Sequence, residues 1–175
     1  MGTRLHYEVE LALIIGKQLS NLPDEETQAA LDAIEGYAVA IDMTARNIQD
    51  ESKKKGLPWT IAKGFDTFCP ISDFIPKELV RDPHDVDLWL NVNGQNRQDD
   101  NSSLMLFRIP RLLSEISGVM TLQRGDIVLT GTPKGVGEVT IGDIMTAGMR
   151  VDGHHVRRGS IEIDVQERQG GYHQL

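Results

Sequence analysis

Two glutamates, Glu8 and Glu10, stand two positions apart in a run of strand-forming residues from Tyr7 to Ile15. Side chains two apart in a strand point to the same face, so we expect both carboxylates to project together. Two such charges repel one another on an otherwise apolar face unless a cation or a basic group neutralises them. The pair admits two interpretations: a site for a hard cation (Mg²⁺, Mn²⁺ or Ca²⁺), or a polar strand face wetted by solvent.

A third carboxylate, Asp42, follows an apolar run over residues 36–41. If a helix starts near Thr44, Arg46 and Gln49 lie four and seven residues beyond Asp42 and share its face. That face would present a carboxylate, a fixed cation and an amide together. The alternative is that Asp42 caps the helix.

Two further segments carry residues suited to an anionic substrate. Lys63 lies among apolar neighbours, where it either extends to solvent or meets an anion in a cleft. The segment from Gly125 to Gly137 is rich in glycine and contains Thr132, but it lacks the residue order of a phosphate-binding P-loop. Its turns can instead aim backbone N–H groups and the Thr132 hydroxyl at a carboxylate.

The elements that must position these residues are short. The 17 glycines and 7 prolines are spread through all 175 residues, as is typical of a strand-rich fold. The patterns predict helices over 25–35 (ending at Gly36), from Thr44 towards Gly56 and over 109–117, and a hairpin at Asn93-Gly94 after strand 87–92. We therefore predict an α+β class, mainly β, in a single domain covering residues 1–175.

Composition narrows the class of partner. With 18 Lys and Arg against 26 Asp and Glu, the net charge is −8, which argues against nucleic acid because phosphates require a basic face. No apolar stretch approaches the roughly 20 residues that span a bilayer, so we expect no membrane partner.

The single cysteine, Cys69, excludes an internal disulfide, and the first residues read as a strand instead of a signal peptide. We therefore expect a cytoplasmic protein. Among the five histidines, only His6 adjoins the glutamates.

Taken in chain order, these segments resemble the fumarylacetoacetate hydrolase family, in its shorter acylpyruvase/isomerase-like branch. The resemblance is clearest over residues 5–148, and the ordered set is more specific than any single motif. It is carried by Glu8-Val9-Glu10-Leu11, Gly36-Tyr37, Asp42-Met43-Thr44-Ala45-Arg46-Asn47-Ile48-Gln49, Gly56-Leu57-Pro58-Trp59 with Lys63, Val92-Asn93-Gly94, and Gly125-Asp126 through Gly137.

The resemblance implies a fold, a cofactor and roles. The fold is a mixed, rolled β-sheet with a few short helices, commonly in a homodimer. The cofactor is a divalent cation, usually Mg²⁺, with Mn²⁺ or Ca²⁺ as alternatives, held by Glu8, Glu10 and Asp42. Lys63, Gln49 and Thr132 would contact the substrate, the first two as catalytic residues, and Arg46 would support the site from behind.

The function implied is a Mg²⁺-dependent enzyme that forms an enolate from a small 2-oxo (di)carboxylic acid or a hydroxy-dienedioate. The favoured reaction is isomerisation, tautomerisation or decarboxylation, as in aromatic-acid degradation, with Lys63 stabilising the oxyanion or carrying a proton.

Three different functions remain open beside this one. Acylpyruvate hydrolysis needs a water-activating base, which branch members carry in a leading segment that this sequence is expected to lack. His6 or a partner subunit would then have to supply that base. The second possibility is a truncated, non-catalytic paralogue that binds a metal and an oxo acid. The third is a structural β-domain without a metal.

Overall fold

The computed structural model describes residues 4–167. Strands predominate and the helices are short, which confirms the predicted α+β, mainly β class. In chain order the elements are β1 (Leu5–Tyr7), β2 (Val9–Ile15), α1 (Thr27–Asp32), β3 (Ile34–Ile41), β4 (Thr44–Ala45), α2 (Arg46–Lys54), α3 (Thr60–Lys63), β5 (Ile75–Pro76), β6 (Val86–Val92), β7 (Gln95–Asn101), α4 (Ile109–Val119), β8 (Ile127–Leu129), β9 (Gly137–Val139), β10 (Ile144–Val151), β11 (His154–His155) and β12 (Ile161–Asp164).

The strands form three sheets in the described part of the chain. The first has the order β4-β1-β9, the second β5-β3-β2-β8, and the third β11-β10-β6-β7 with β12 also pairing β10. The pairings between these strands are antiparallel. Strands β2 and β3 pair along their whole length at the centre of the second sheet, so the chain segments that carry the three carboxylates are neighbours.

The two faces of β2 are buried in different ways. Val9, Leu11 and Leu13 belong to the main hydrophobic core, while Ala12 joins Ala38 and Ala40 of β3 in a small separate cluster. Glu10 lies two residues from Ala12 on that second face, as the alternation predicts. Small alanines therefore surround the buried carboxylate on its own strand and on the next.

The first predicted helix ends earlier than expected. Helix α1 stops at Asp32, and β3 begins at Ile34, so Gly36 lies within a strand instead of ending a helix. The physical reason is a close contact: a Cβ on Gly36 would lie 2.4 Å from the Phe74 ring and 2.6 Å from the Ile75 carbonyl oxygen. The absence of a side chain at Gly36 allows the segment with Phe74 and Ile75 to pack directly against β3. The sequence pattern does not reveal this contact.

The remaining elements follow the predictions closely. Asn93 and Gly94 adopt positive φ angles of 52° and 73° between β6 and β7, as a tight hairpin requires. The helix expected from Thr44 begins at Arg46, because Thr44–Ala45 pair with β1. No helix among residues 4–167 is long and apolar enough to cross a membrane. That residues 1–175 form one domain stays a prediction.

Candidate metal centre

Three carboxylates meet where β2 and β3 lie side by side. Glu8 occupies the break between β1 and β2, Glu10 lies in β2, and Asp42 directly follows β3. The pairing of Val9 with Ile41 places Asp42 beside Glu8, and the Asp42 N–H donates to the Glu8 carbonyl oxygen at 2.8 Å. One carboxylate oxygen from each of the three residues lies within 4.8 Å of the other two. The structure thus brings the three predicted metal ligands together.

Glu10 is the most deeply buried of the three, with 5% of its surface exposed. Burial, together with the nearby charges of Asp42 and Glu8, raises its pKa to about 7, against a lowering effect of the Gly131 N–H, which donates to Glu10 Oε2 at 2.6 Å. Burial also raises the pKa of Asp42, although Lys63 opposes that shift. The negative charge of the three carboxylates is therefore not fully compensated by the groups around them.

Lys63, at the end of α3, points into this cluster. Its Nζ lies 2.7 Å from Glu8 Oε2 and also donates to Asp42 Oδ2. Burial alone would lower the pKa of Lys63, but the hydrogen bonds and charges of Asp42 and Glu8 raise it above its ordinary value. The side chain is 22% exposed, so Lys63 lies among the carboxylates as an ammonium instead of extending to solvent. That it meets an anionic substrate stays a prediction.

Arg46, the first residue of α2, connects the cluster to the helix. Its Nη1 donates to Gln49 Oε1 at 2.5 Å, its Nη2 to Glu8 Oε1 at 3.3 Å, and its Nε to His6 Nδ1 at 3.3 Å. Because the side-chain oxygen of Gln49 accepts from Arg46, the side-chain nitrogen of Gln49 keeps its two hydrogens for another partner.

The alternative role for Asp42 as a helix cap is wrong. Helix α2 begins after Ala45, and its N-terminus has no side-chain capping hydrogen bond. Asp42 instead accepts from Lys63, at the position where the carboxylate cluster forms.

Thr132 directly follows Gly131, the residue of the glycine-rich loop that contacts the cluster. The Gly131 N–H binds Glu10, and the Thr132 hydroxyl accepts a hydrogen bond of 2.8 Å from Gln98 Nε2. The sequence does not predict Gln98 as a site residue. Strand β7 reads Gln-Asn-Arg-Gln-Asp-Asp-Asn, and an entirely polar strand gives no alternation to mark one buried position.

The residues present suit a divalent cation. When all three carboxylates are ionised, they face the positive charges of Lys63 and Arg46, which leaves one negative charge uncompensated. All three donors are carboxylate oxygens, the ligands that Mg²⁺ and Mn²⁺ favour. Within residues 4–167, this is the one cluster of acidic, histidine or cysteine side chains close enough to share an ion.

A strand-rich domain with an acidic site of this composition is a candidate metal-binding catalytic domain. The family described as "Fumarylacetoacetate (FAA) hydrolase C-terminal" matches residues 1–166, and this chain belongs to that family. The resemblance seen in the sequence is thereby confirmed.

Curated relatives give the family a more particular context. The chain is 53% identical over 145 residues to the oxaloacetate tautomerase FAHD1 of Bos taurus, covering 83% of this chain and 64% of that protein. It is 50% identical over 164 residues to the FAHD1 of Arabidopsis thaliana, covering 94% and 70%. It is 47% identical over 145 residues to an oxaloacetate decarboxylase of Dictyostelium discoideum, covering 83% and 65%. The chain thus spans about two thirds of the length of these relatives.

Solved structures agree on the fold. The yeast protein ynq8, of the same family, superposes with a TM-score of 0.93 at 42% identity, covering 99% of this chain and 72% of that one. A fumarylpyruvate hydrolase of Pseudomonas aeruginosa, in complex with Mn²⁺ and pyruvate, gives 0.83 at 34% identity, covering 94% and 67%.

The predicted cytoplasmic location is wrong. The relatives from Bos taurus, Arabidopsis thaliana and Dictyostelium discoideum are all named as mitochondrial proteins. The prediction relied on the first residues and on a single cysteine, and a reducing environment does not distinguish one intracellular compartment from another.

Proposed function

We propose that this protein is a divalent-metal-dependent enzyme that interconverts the keto and enol forms of a small 2-oxo dicarboxylic acid, with oxaloacetate as the substrate. The observation that carries the proposal is the group of three carboxylate oxygens within 4.8 Å of one another, with the Lys63 ammonium hydrogen-bonded to two of the carboxylates. The tautomerase names of the relatives that are at least half identical support the choice of substrate.

Glu8, Glu10 and Asp42 would hold the cation, which is Mg²⁺ or Mn²⁺ on the chemistry of the donors. When bound, such a cation polarises the oxygens of a 2-oxo acid and stabilises the negative charge of its enolate. The related fumarylpyruvate hydrolase is in complex with Mn²⁺ and pyruvate, which supports a divalent ion and an oxo acid as the ligands proposed here.

Lys63 has the properties of the acidic partner in the proton transfer. Without a cation, Asp42 and Glu8 raise its pKa and hold it as an ammonium, a form that donates hydrogen bonds or a proton to an enolate oxygen. The amide nitrogen of Gln49 and the hydroxyl of Thr132 would hold further substrate oxygens. Arg46 keeps Glu8 and Gln49 in place through its two Nη atoms.

Decarboxylation is the second candidate, because loss of CO₂ from oxaloacetate also leaves a 2-oxo acid enolate, that of pyruvate, which the same cation and donors would stabilise. The Dictyostelium relative is named for that reaction. Hydrolysis has less support in the described residues. His6, the base considered from the sequence, accepts from Arg46 on Nδ1, and burial together with the Arg46 charge lowers its pKa.

The experiment follows oxaloacetate through two readouts in the same buffer. Decay of the enol absorbance reports tautomerisation, and pyruvate release, coupled to lactate dehydrogenase, reports decarboxylation. We expect Mg²⁺- or Mn²⁺-dependent enol decay that is abolished by EDTA and by Glu10→Gln, while Glu25→Gln, at an exposed position, leaves it unchanged. Metal-dependent pyruvate release without faster enol decay would favour the decarboxylase.

The same assays distinguish an enzyme from a protein that only binds or only folds. Binding of Mn²⁺ and oxalate without turnover of oxaloacetate, an acylpyruvate or a hydroxy-dienedioate would favour a non-catalytic paralogue. A melting temperature unaffected by Mg²⁺ and Mn²⁺ would favour a structural β-domain. We also propose the homodimer that the family resemblance implies, which light scattering after gel filtration measures directly.

A further inference from the structure

Gln98 is a polar side chain that is almost completely buried, with 1% of its surface exposed. Its Oε1 accepts from the Val9 N–H at 3.0 Å, and its Nε2 donates to Thr132 Oγ1 at 2.8 Å and to the Pro133 carbonyl oxygen at 2.9 Å. Val9 lies between the two glutamates of the candidate metal centre. One side chain thus connects the metal-binding strand to the loop that carries Thr132.

These partners fix the orientation of the amide. The Val9 N–H can only donate and the Pro133 carbonyl can only accept. The reverse orientation would therefore place two donors face to face at Val9 and two acceptors face to face at Pro133. The Thr132 hydroxyl must therefore accept from Gln98. A hydroxyl has one hydrogen, and a hydroxyl that accepts from an amide keeps that hydrogen for a further acceptor.

The loop also lies tightly against the strand that carries Gln98. A Cβ on Gly135, whose φ is +99°, would lie 2.0 Å from the Arg97 carbonyl oxygen and 3.2 Å from Gln98 Cγ. Gly131 N–H meets Glu10 Oε2 at the other side of the same loop. The position of Thr132 is consequently set by contacts on two strands.

We propose that Gln98 is a positioning residue that makes the Thr132 hydroxyl an obligatory hydrogen-bond donor towards a carboxylate or enolate oxygen of the bound oxo acid. This inference rests on the proposed function, because it needs an anionic substrate beside the loop. Gln98 itself does not touch the substrate. It acts by tying the loop to Val9 and by leaving Thr132 a single free hydrogen.

The test compares Gln98→Glu with Thr132→Val in the Mn²⁺-loaded protein. An ionised carboxylate at position 98 has no hydrogen to donate and accepts the Thr132 hydrogen instead, so the hydroxyl is lost as a donor to substrate. Because burial favours a protonated carboxyl, Gln98→Met, which has no donor, is measured beside it and should show the same loss. We expect each variant to weaken oxalate binding, measured by calorimetry, about tenfold or more, and to raise the KM for oxaloacetate more than it lowers kcat. The double variant should bind oxalate no more weakly than the weaker-binding single variant. Mn²⁺ should still raise the melting temperature of all three variants.

Matched variants separate positioning from general damage. Gln95→Glu makes the same change at an exposed position of β7 and should bind oxalate like the wild type. Thr132→Ser keeps the hydroxyl and should retain most of the affinity. If Gln98→Glu fails to fold, Gln98→Met and Thr132→Val, alone and together in the metal-free protein, provide the same cycle through their melting temperatures, and the two losses should be less than additive.

Different results would overturn the positioning role of Gln98 and the proposed function. Wild-type oxalate affinity in both Gln98→Glu and Gln98→Met, or independent and additive effects of positions 98 and 132, would overturn the positioning role. Failure of the wild-type protein to bind oxalate with Mn²⁺ would overturn the proposed function, and with it the donor role of Thr132, even if the two positions remain coupled in stability.

Discussion

Lys63 links Glu8 to Asp42: its Nζ lies 2.7 Å from Glu8 Oε2 and donates a second hydrogen bond to Asp42 Oδ2. One ammonium thus compensates two proposed metal ligands, one between β1 and β2 and the other just after β3. Glu10, the third and most buried ligand, has a backbone N–H as its hydrogen-bond donor instead. The cluster is therefore asymmetric, with its least compensated charge at Glu10.

Replacing Lys63 by methionine should remove the proton donor and keep the apolar stem. We expect the rate of oxaloacetate tautomerisation at saturating substrate to fall about 10²–10³-fold, the range found when one donor to a developing oxyanion is removed. The Mn²⁺-induced rise in melting temperature should persist, because the three carboxylates remain. Lys55→Met, at an exposed position after α2, is the matched control. A Lys63→Met rate within about threefold of wild type would exclude a catalytic role, since that change is far below the range for a lost donor.

The charge state of Glu10 should make metal stabilisation depend on pH. Its pKa is raised from 4.5 to about 7, so the fold favours the protonated form. In the metal-free protein this contribution to stability is complete below about pH 4.5 and is lost as the pH rises through about 7.

A divalent ion needs the ionised carboxylate, so metal binding has the opposite preference. The Mn²⁺-induced rise in melting temperature should be small near about pH 5.5 and larger near about pH 8, as followed by scanning fluorimetry. Glu10→Gln should abolish most of the response at both pH values. An equal response of the wild-type protein at both would contradict the assignment of Glu10 as a ligand.

Arg46 should not be replaceable by lysine. Its guanidinium donates to Gln49, Glu8 and His6 from three different nitrogens, whereas an ammonium is a single point of donation. We expect Arg46→Lys to keep the folded state and the Mn²⁺ response but to raise the KM for oxaloacetate several-fold, because Gln49 loses its orientation. Arg124→Lys, at a mostly exposed arginine that pairs with Glu35, should leave KM unchanged. Identical KM values for the two variants would argue against a positioning role of Arg46.

The sequence predicts the carboxylate cluster better than it predicts the loop contacts. Alternation in β2 places Glu10 on the face of Ala12, and the family resemblance adds Asp42. The prediction for Gly36 is wrong because its role depends on Phe74, a residue distant in sequence. Gln98 has no sequence signal because its burial results from the contact of β7 with the glycine-rich loop, and no local period encodes that contact.

His84 should make global stability fall in mild acid. Its Nε2 accepts the Ile109 N–H at 3.0 Å at the start of α4, and burial, with the Arg108 charge, lowers its pKa below 6.5. Because folding lowers the pKa of His84, the fold favours the neutral imidazole. The contribution of His84 to the free energy of unfolding is therefore present above about pH 6.5 and is lost as the pH falls through its folded-state pKa. Protonation would also turn the acceptor towards Ile109 into a donor.

His84→Gln retains an acceptor that does not titrate. Urea unfolding of this variant should therefore show a weaker decline in stability between about pH 7 and pH 5 than the wild type. His154→Gln, at an exposed histidine, should follow the wild-type curve. Parallel curves for His84→Gln and the wild type would exclude His84 as the titrating group.

Gly135 should tolerate alanine less well than Gly142, although both have positive φ angles, +99° and +93°. The backbone cost of alanine at such angles is therefore similar, about 1 kcal/mol. Around Gly142 an added Cβ meets nothing within 4 Å, whereas at Gly135 it would lie 2.0 Å from the Arg97 carbonyl oxygen. We expect Gly135→Ala to cost about 1–3 kcal/mol more than Gly142→Ala in urea unfolding, as overpacking does. Because the displaced loop carries Thr132, Gly135→Ala should also weaken oxalate binding to the Mn²⁺-loaded protein, and Gly142→Ala should not. Equal effects of the two variants on both measurements would show that the loop does not depend on its contact with β7.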